Sequence, residues 1–206
     1  MPETPENSRT RLLTATIDLV RTNGYASTRV EDICAAAGVT KGSFFHHFES
    51  KEDLGIAAAA HWGERAMQLF AQAPYMAAAD PLDRLLGYVR FRRELLAGDI
   101  WEWSCYAGST IQETHETHPE LRAACADSIA GHIAQLTAMI DQVLAQYPVP
   151  QLRPESLAIH MQAVIQGAFV MAKARQDRQA AVDAIDHLRR YVELLFSRST
   201  KNKRKR

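Results

Sequence analysis

Residues 28–51, TRVEDICAAAGVTKGSFFHHFESK, predict two short helices joined by a tight turn and followed at once by a third helix. Thr28 and Glu31 have the spacing of a capping box, so the first helix is expected to begin at Thr28. Gly38 is placed to end that helix in a left-handed conformation, and Thr40 can cap the next helix. The pattern is that of a helix-turn-helix motif.

The second of these helices begins with small and polar residues and continues with aromatic ones. Residues 40–43 occupy its first turn, and in a helix-turn-helix motif that turn reaches base edges in the major groove of DNA. Phe44 and Phe48, four residues apart, are expected to be buried, whereas His46 and His47 are expected to face outward. A bare motif of this kind would be a weak signal for DNA binding.

The whole stretch resembles the TetR family of bacterial transcriptional regulators, in which a pattern like GVTKGSFFHHFESKEDL marks the recognition helix and the start of the next helix. Turn glycine, cap, aromatic pair, histidine and lysine all follow in the family's order, so the resemblance is specific. It implies phosphate contacts at Thr28, Thr40, His47 and Lys51, and contacts facing bases at Lys41, Gly42, Ser43 and His46. Phe45 stands where the family commonly has tyrosine, so van der Waals contact with a sugar or thymine methyl group is expected there instead.

The remainder of the chain predicts an all-α fold. Of the 206 residues of the whole chain, 47% are hydrophobic. No stretch shows the sustained alternation of apolar and polar residues that is typical of a strand. A first helix is expected from Ser8 or Thr10 to about Thr22, before the stop at Gly24. We divide the chain into a three-helix DNA-binding domain at 8–52, an effector-binding and dimerisation domain at 53–197, and a basic, disordered tail at 198–206.

Proline, glycine and capping residues punctuate the second domain. Ser50 and Asp53 repeat the capping-box spacing at the start of a long helix. The expected helices cover residues 51–73, 81–97, 100–114, 119–147, 154–174 and 180–197.

The family resemblance implies that the last two helices pair with those of a second copy in a four-helix bundle. Gly167, Ala168 and Ala172 could permit the close approach of helices there. A symmetric homodimer also suits a palindromic operator. The alternative is that these faces only close the monomer's own core.

Charge and cysteine usage suit such a regulator. The 24 basic and 24 acidic residues cancel, but six of the basic residues lie in the tail, which leaves an acidic body with 24 − 6 = 18 basic residues. Specific DNA binding must therefore depend on a few well-placed cations. Three widely spaced cysteines favour reduced thiols, and the start of the chain shows no signal peptide, so we expect a cytoplasmic protein without a membrane span.

An effector pocket is predicted where aromatic and polar groups crowd the second domain. Its predicted residues are Trp101, Trp103, Cys105, Tyr106 and His115, with Phe169 from a later helix. Residues 105–108 and 118–122 resemble the "GCxxG" and "HPELR" segments of one subgroup, in some members of which the cysteine senses oxidants or electrophiles. The alternative is that Cys105 is a small residue in helix packing.

No catalytic motif, cofactor site or convincing metal site can be identified. His115 and His118 could share a metal with Cys105, but Pro119 begins a new helix, so the two histidines are expected to straddle a loop and have no clear third ligand. We predict a ligand-responsive repressor that a small-molecule inducer releases from its operator. The alternative is a redox or electrophile sensor acting through Cys105.

Overall fold

The computed structural model describes the backbone of residues 7–203 and the side chains of residues 7–197, and every regular element in that range is helical. A single 3-10 turn, Pro74–Ala77, follows the fourth α-helix. The α-helices are α1 Ser8–Asn23, α2 Val30–Ala37, α3 Lys41–His47, α4 Lys51–Ala71, α5 Pro81–Glu94, α6 Ile100–Trp103, α7 Tyr106–Thr114, α8 Pro119–Gln146, α9 Pro154–Arg175 and α10 Gln179–Lys203. The all-α prediction is confirmed.

The helices form two compact units. The first unit contains the chain up to Ala66 together with Ser104–Ala130, and the second contains Met67–Trp103 and the chain from Gly131 onward. The long helices α4 and α8 therefore contribute to both. The first unit is larger than the predicted DNA-binding domain at 8–52, because α7 and the start of α8 share its core.

The core of the first unit is built by one face of each short helix. Leu12 of α1, Ile33 of α2 and Phe44 of α3 are fully buried there. Leu54, Tyr106 and Leu121 extend the same core into α4, α7 and α8. The buried positions on α1 recur at three- and four-residue steps, as expected for an amphipathic helix.

The turn between α2 and α3 is closed as the sequence predicts. Gly38 adopts a left-handed conformation, with φ 62° and ψ 39°. Its N–H donates to the Ala35 carbonyl and that of Val39 to the Cys34 carbonyl, which is a Schellman closure. The Thr40 hydroxyl then accepts from the Ser43 N–H at 3.1 Å and caps α3. Prediction and structure agree at each of these positions.

The starts of α1 and α2 differ from the prediction. Asn7, and not Ser8 or Thr10, caps α1 through its side-chain oxygen. Likewise α2 begins one residue after Arg29, whose N–H donates to the carboxylate of Asp32. The capping box predicted at Thr28 is wrong because the Thr28 hydroxyl donates to the Gly24 carbonyl at 2.7 Å.

The start of α4 follows its prediction more closely. Ser50 accepts from the Asp53 N–H at 3.0 Å, as the capping box requires. The Asp53 carboxylate accepts a hydrogen bond from the N–H of Glu49, and not from that of Ser50 as a capping box requires. This end of α4 is therefore fixed directly after α3.

The core of the second unit lies among α5, α8, α9 and α10. Tyr88, Ile140, Ile165 and Phe196 are among its most buried side chains. By length and composition alone, α9 is apolar enough to cross a membrane. Its apolar residues at 157, 161, 165 and 169 are buried inside this unit, which is typical of a core helix of a water-soluble bundle.

Two predicted helices have different ends. The single helix expected at 100–114 is split into α6 and α7 at Ser104 and Cys105. The carbonyl of Ser104 accepts from Arg21 Nε at 2.8 Å, so a partner outside the helix replaces a helical bond. At the other end, α10 continues to Lys203, into the segment predicted as a disordered tail. No glycine or proline stops it there, and cations favour a helix C-terminus. Residues 204–206 lie outside the described range.

Candidate DNA-binding and effector sites

The start of α3 lies at the surface of the first unit. Thr40, Lys41 and Gly42 are exposed, and Ser43 is partly exposed. One turn later, Phe45 has 63% of its surface exposed, an unusual position for a phenylalanine. Phe44 and Phe48 are buried beneath them at 0% and 3%, as predicted. The helix therefore presents polar groups and one aromatic ring to solvent while two aromatic rings hold it to the core.

Lys41 is already paired with a carboxylate. Its Nζ lies 2.5 Å from Glu31 Oε1 of α2, and both side chains are more than half exposed. Hydrogen bonding and charge attraction raise the pKa of Lys41 and lower that of Glu31. Any contact between Lys41 and DNA must therefore compete with Glu31.

His47 and Lys51 are partly buried and make contacts within the first unit. His47 Nε2 lies 2.7 Å from the hydroxyl of Ser8, which ties the end of α3 to the start of α1. Lys51 Nζ donates to the carbonyls of Tyr25 and Thr28 at 3.1 and 3.2 Å. An ammonium has three N–H donors, so Lys51 retains one for a phosphate. His46 is exposed.

Thr28 does not lie with this exposed set. Its side chain is only 2% exposed, and its hydroxyl is used by the Gly24 carbonyl. Its N–H donates to the Tyr25 carbonyl. Thr28 therefore shapes the loop between α1 and α2, and the phosphate contact at this residue stays a prediction.

Exposed arginines near α3 were not predicted from the sequence. The guanidinium of Arg9 lies 5.4 Å from the Phe48 ring centre. A side-chain nitrogen of Arg11 lies 3.6 Å from the place that a Cβ on Gly38 would occupy. Arg29 is exposed at the start of α2. The first turn of α1 contains no acidic residue. Two arginines at the start of a helix whose first turn has no acidic residue were the sequence signal for a basic surface there.

The loop before α2 is held by α7. Both oxygens of the Glu113 carboxylate accept hydrogen bonds, from the N–H of Tyr25 at 3.0 Å and from that of Ala26 at 2.9 Å. Gly24 makes room for this contact, because a Cβ at that position would lie 2.6 Å from Glu113 Oε1. A segment outside the predicted DNA-binding domain thus fixes the chain that enters the motif.

Half of the predicted effector pocket belongs to the first unit. Tyr106 is fully buried in its core and donates to the Gly55 carbonyl at 3.1 Å. The Cys105 sulfur caps α7 by accepting from the Gly108 N–H at 3.4 Å. His115 is exposed beside Glu116. Burial, and next the charge of Cys105, raise the pKa of the Cys125 thiol to about 12, so Cys125 stays protonated. A sensing role for Cys105 stays a prediction.

The other half belongs to the second unit. The rings of Trp103 and Phe169 pack with their centres 5.5 Å apart, whereas Trp101 is only partly buried. Close to Phe169 lie the guanidinium of Arg92 and, beyond it, a buried group of hydrogen-bonded side chains that the sequence did not predict: Tyr88, His132 and Gln162. These residues lie on α5, α8 and α9, and only tertiary packing brings them together.

A shallow cleft of about 220 Å³ also lies between α5 and α10. Its charged lining residues are Arg90, Arg93, Glu94, Asp186 and Arg189. Arg93 pairs with Asp186, and Arg189 pairs with Glu193. Three arginines face two carboxylates in this cleft, but Arg93 and Arg189 are already paired, so the cleft offers a ligand little uncompensated charge.

Exposed apolar side chains gather on α9 and α10. Met171 is 53% and Leu194 is 68% exposed, and Ile159, Val170 and Tyr191 are also largely exposed. A Cβ on Gly167 would meet nothing within 4 Å. In contrast, Ala168 and Ala172 are buried in their own unit, so the prediction that they face a second copy is contradicted for these two positions.

Comparisons with known proteins agree with this architecture. A profile for bacterial regulatory proteins of the tetR family matches residues 12–58, and one for the C-terminal domain of LmrA/YxaF-like transcriptional regulators matches residues 81–187. A solved regulator of the TetR family from Agrobacterium tumefaciens superposes with a TM-score of 0.80 at 24% identity, covering 94% of this chain and 100% of that one. That likeness shows the fold.

Two curated relatives are similar in sequence. The transcriptional regulator AcuR of Cereibacter sphaeroides is 30% identical over 135 residues, which are 60% of this chain and 62% of AcuR, less than two thirds of its length. The transcriptional repressor DhaR of Mycobacterium sp. strain GP1 is 27% identical over 157 residues, 76% of this chain and 77% of DhaR. The chain thus belongs to the TetR family of bacterial transcriptional regulators, which bind DNA and are not enzymes.

Proposed function

We propose that the protein is a homodimeric, cytoplasmic transcriptional repressor that binds a palindromic operator and is released from it by a small-molecule inducer. The observation that carries the proposal is the exposed start of α3, fixed by the buried rings of Phe44 and Phe48. DhaR, a relative along most of the chain, is itself a repressor. Symmetric operators are read by two copies of such a helix, one in each half-site.

The exposed residues divide into two groups by the part of DNA that they suit. Lys41, Gly42, Ser43 and His46 face bases, and Phe45 packs against a sugar or a thymine methyl group. Thr40, His47 and the remaining donor of Lys51 contact phosphates, and Arg11 joins them from α1. Because the body of the protein is acidic, these few cations supply most of the salt-dependent affinity.

Fluorescence anisotropy with DNA from beside the protein's own gene tests this interface. We expect the wild type to bind with a marked dependence on salt, and Lys41→Ala to bind about tenfold more weakly with a salt slope smaller by about one. Glu31→Gln should act in the opposite direction, because it releases Lys41 from its ion pair and removes a negative charge. Arg122→Ala, an exposed cation on α8, is the matched control and should bind like the wild type.

One outcome would remove α3 from the interface. If Lys41→Ala and His47→Ala, both shown to be folded by circular dichroism, bound the fragment as the wild type does, the proposed contacts would be wrong. A protein that bound no salt-sensitive fragment at all would instead favour a helical interaction protein without DNA binding.

Dimerisation through α9 and α10 is supported by the exposed apolar residues of these helices. Such a patch is unusual on a monomer and suits a symmetric interface. Leu194→Glu should convert the dimer to a monomer in analytical ultracentrifugation, because it would bury a charge against the second copy. Met76→Glu, at an exposed apolar residue outside α9 and α10, should leave the dimer intact. A dimer that survives Leu194→Glu would place the interface elsewhere.

The inducer response rests on differential binding. A ligand that binds one state of the dimer more tightly shifts the population towards that state. If the recognition helices in that state have the wrong spacing for the operator, the DNA is released. By thermodynamic linkage, DNA binding then weakens inducer binding by the same factor by which the inducer weakens DNA binding. We place the ligand beside Trp103 and Phe169, the two predicted pocket residues that pack together.

A further inference from the structure

A chain of hydrogen bonds crosses the interior of the second unit. Gln162 Nε2 donates to the hydroxyl of Tyr88 at 3.0 Å, so the hydroxyl's own hydrogen is free to point to His132 Nε2 at 2.9 Å. Burial, and next the charge of Arg92, lower the pKa of His132 to about 3, so the ring is neutral. A neutral imidazole that accepts at Nε2 carries its hydrogen on Nδ1. We assign His132 this tautomer, in which it presents an N–H donor at Nδ1.

Two buried N–H groups in this region lack acceptors among the described residues. One is His132 Nδ1 and the other is the indole nitrogen of Trp103. A buried donor without an acceptor is energetically unfavourable, so such groups are uncommon unless something else binds them.

A half-buried cation lies beside these donors. The guanidinium of Arg92 is 5.3 Å from the Phe70 ring centre and 5.6 Å from that of Phe169, and no described carboxylate forms an ion pair with it. The same two rings carry the donors' side chains: Trp103 packs on Phe169 at 5.5 Å, and His132 on Phe70 at 4.6 Å. Cation and donors therefore belong to one aromatic cluster.

We infer that this cluster is the effector site and that its ligand is a small planar carboxylate with an aromatic or unsaturated body. The reasoning is one of complementarity, and it rests on the proposed inducer response. The unpaired N–H donors require an acceptor on the ligand. Because this acceptor would lie next to a guanidinium without a counter-charge, an anion is favoured, and arginine binds carboxylates in a bidentate manner. The rings of Phe70 and Phe169 suit a flat apolar body.

The short helix α6 offers a way in for the ligand. It is one turn long, follows Gly98 with φ 78°, and ends at the break before Cys105. So short a helix contributes little stability of its own and depends on the packing of Trp103. If Trp103 moves aside, the face of Phe169 on which it packs becomes accessible to a ligand.

Isothermal titration calorimetry with sodium benzoate, without DNA, tests the inference. Benzoate should bind the wild type, and its neutral isostere benzamide should bind at least about tenfold more weakly. Arg92→Gln should weaken benzoate binding by a similar factor and abolish the preference over benzamide. Arg90→Gln, an exposed arginine on the same helix, should bind benzoate like the wild type. Thermal unfolding and DNA affinity show whether each variant is folded.

The outcomes separate the two levels of the proposal. No benzoate binding, equal binding of benzoate and benzamide, or equal binding by wild type and folded Arg92→Gln would overturn the ligand class. Absence of DNA binding would overturn the proposed function and leave the calorimetric result intact. If Arg92→Gln does not fold, Trp103→Phe, which removes the indole N–H donor and keeps a smaller aromatic ring, replaces it and should also weaken benzoate binding. Unchanged binding there would overturn the site.

Discussion

Acidification should destabilise the protein through His132. Burial, and next the charge of Arg92, lower the pKa of this side chain from 6.5 to about 3 in the folded state. The unfolded chain therefore binds a proton between pH 6.5 and pH 3 that the folded chain does not bind. Stability from this group is fully present above pH 6.5 and is lost as the pH falls through that window. Among the described residues, no carboxylate contributes to this shift; the polar groups around the ring are Arg92 and Tyr88 of α5 and Gln162 of α9.

The size of the effect follows from the two pKa values. At pH 5 the unfolded histidine is almost fully protonated, which lowers the free energy of the unfolded state by about 2 kcal/mol relative to pH 7. Any folded pKa below about 4 gives the same result, because the folded ring stays neutral at pH 5. The free energy of unfolding of the wild type should thus fall by about 2 kcal/mol between pH 7 and pH 5 from this residue alone.

Chemical denaturation at fixed protein concentration, at pH 7 and at pH 5, measures this. His132→Gln keeps a polar group near Tyr88 but cannot titrate, so its unfolding free energy should change by about 2 kcal/mol less than that of the wild type. His187→Gln, on the exposed side of α10, is the control and should keep the wild-type dependence. The reasoning fails if wild type and His132→Gln lose the same stability on acidification, whatever their absolute stabilities.

Two substitutions test the packing that positions the sites, both by denaturation at pH 7. Glu113→Gln replaces one of the two accepting oxygens by an NH₂ group, so it should lower the free energy of unfolding by about 1 kcal/mol. The control Glu116→Gln, at an exposed position, should change it very little. Equal effects of the two substitutions would mean that the Glu113 contact is not stabilising. Gly87→Ala places a Cβ 2.5 Å from that of Tyr75 and should cost about 1–3 kcal/mol. Gly131→Ala on α8, where an added Cβ would lie at an ordinary 3.9 Å from the sulfur of Met67, should be stabilising by up to about 1 kcal/mol. A loss there similar to that at Gly87 would contradict the packing described.

The helix-turn-helix could be predicted because its signals are local. Gly38 and Thr40 act within a few residues of themselves, and the four-residue spacing of Phe44 and Phe48 defines a buried face without reference to the rest of the chain. The outward position of Phe45 came instead from the family resemblance, and the residue is 63% exposed. Local signals also explain the error at Thr28: two caps were possible, and the choice depended on whether its hydroxyl bonded forwards or back to Gly24.

The effector region could not be predicted to the same depth because its geometry depends on distant residues. The break between α6 and α7 involves Arg21, 83 residues before Ser104. Tyr106 looks like a pocket residue in a run of aromatic side chains, yet it packs beneath α4. The chain of Tyr88, His132 and Gln162 joins three helices, and neither spacing nor composition distinguishes these residues from other polar positions.

The ion pair between Glu31 and Lys41 has a consequence for how the protein searches a genome. On arbitrary DNA the carboxylate both holds back the ammonium and repels the backbone, so loose, sequence-independent association is weakened. If Lys41 reads bases as we propose, an operator that offers it a pair of guanine acceptors competes with Glu31 better than a sequence without them. Glu31, beside the recognition helix, would thereby lower affinity for all DNA but raise the ratio of specific to nonspecific binding. This ratio matters because each operator competes with the nonspecific sites of a whole chromosome.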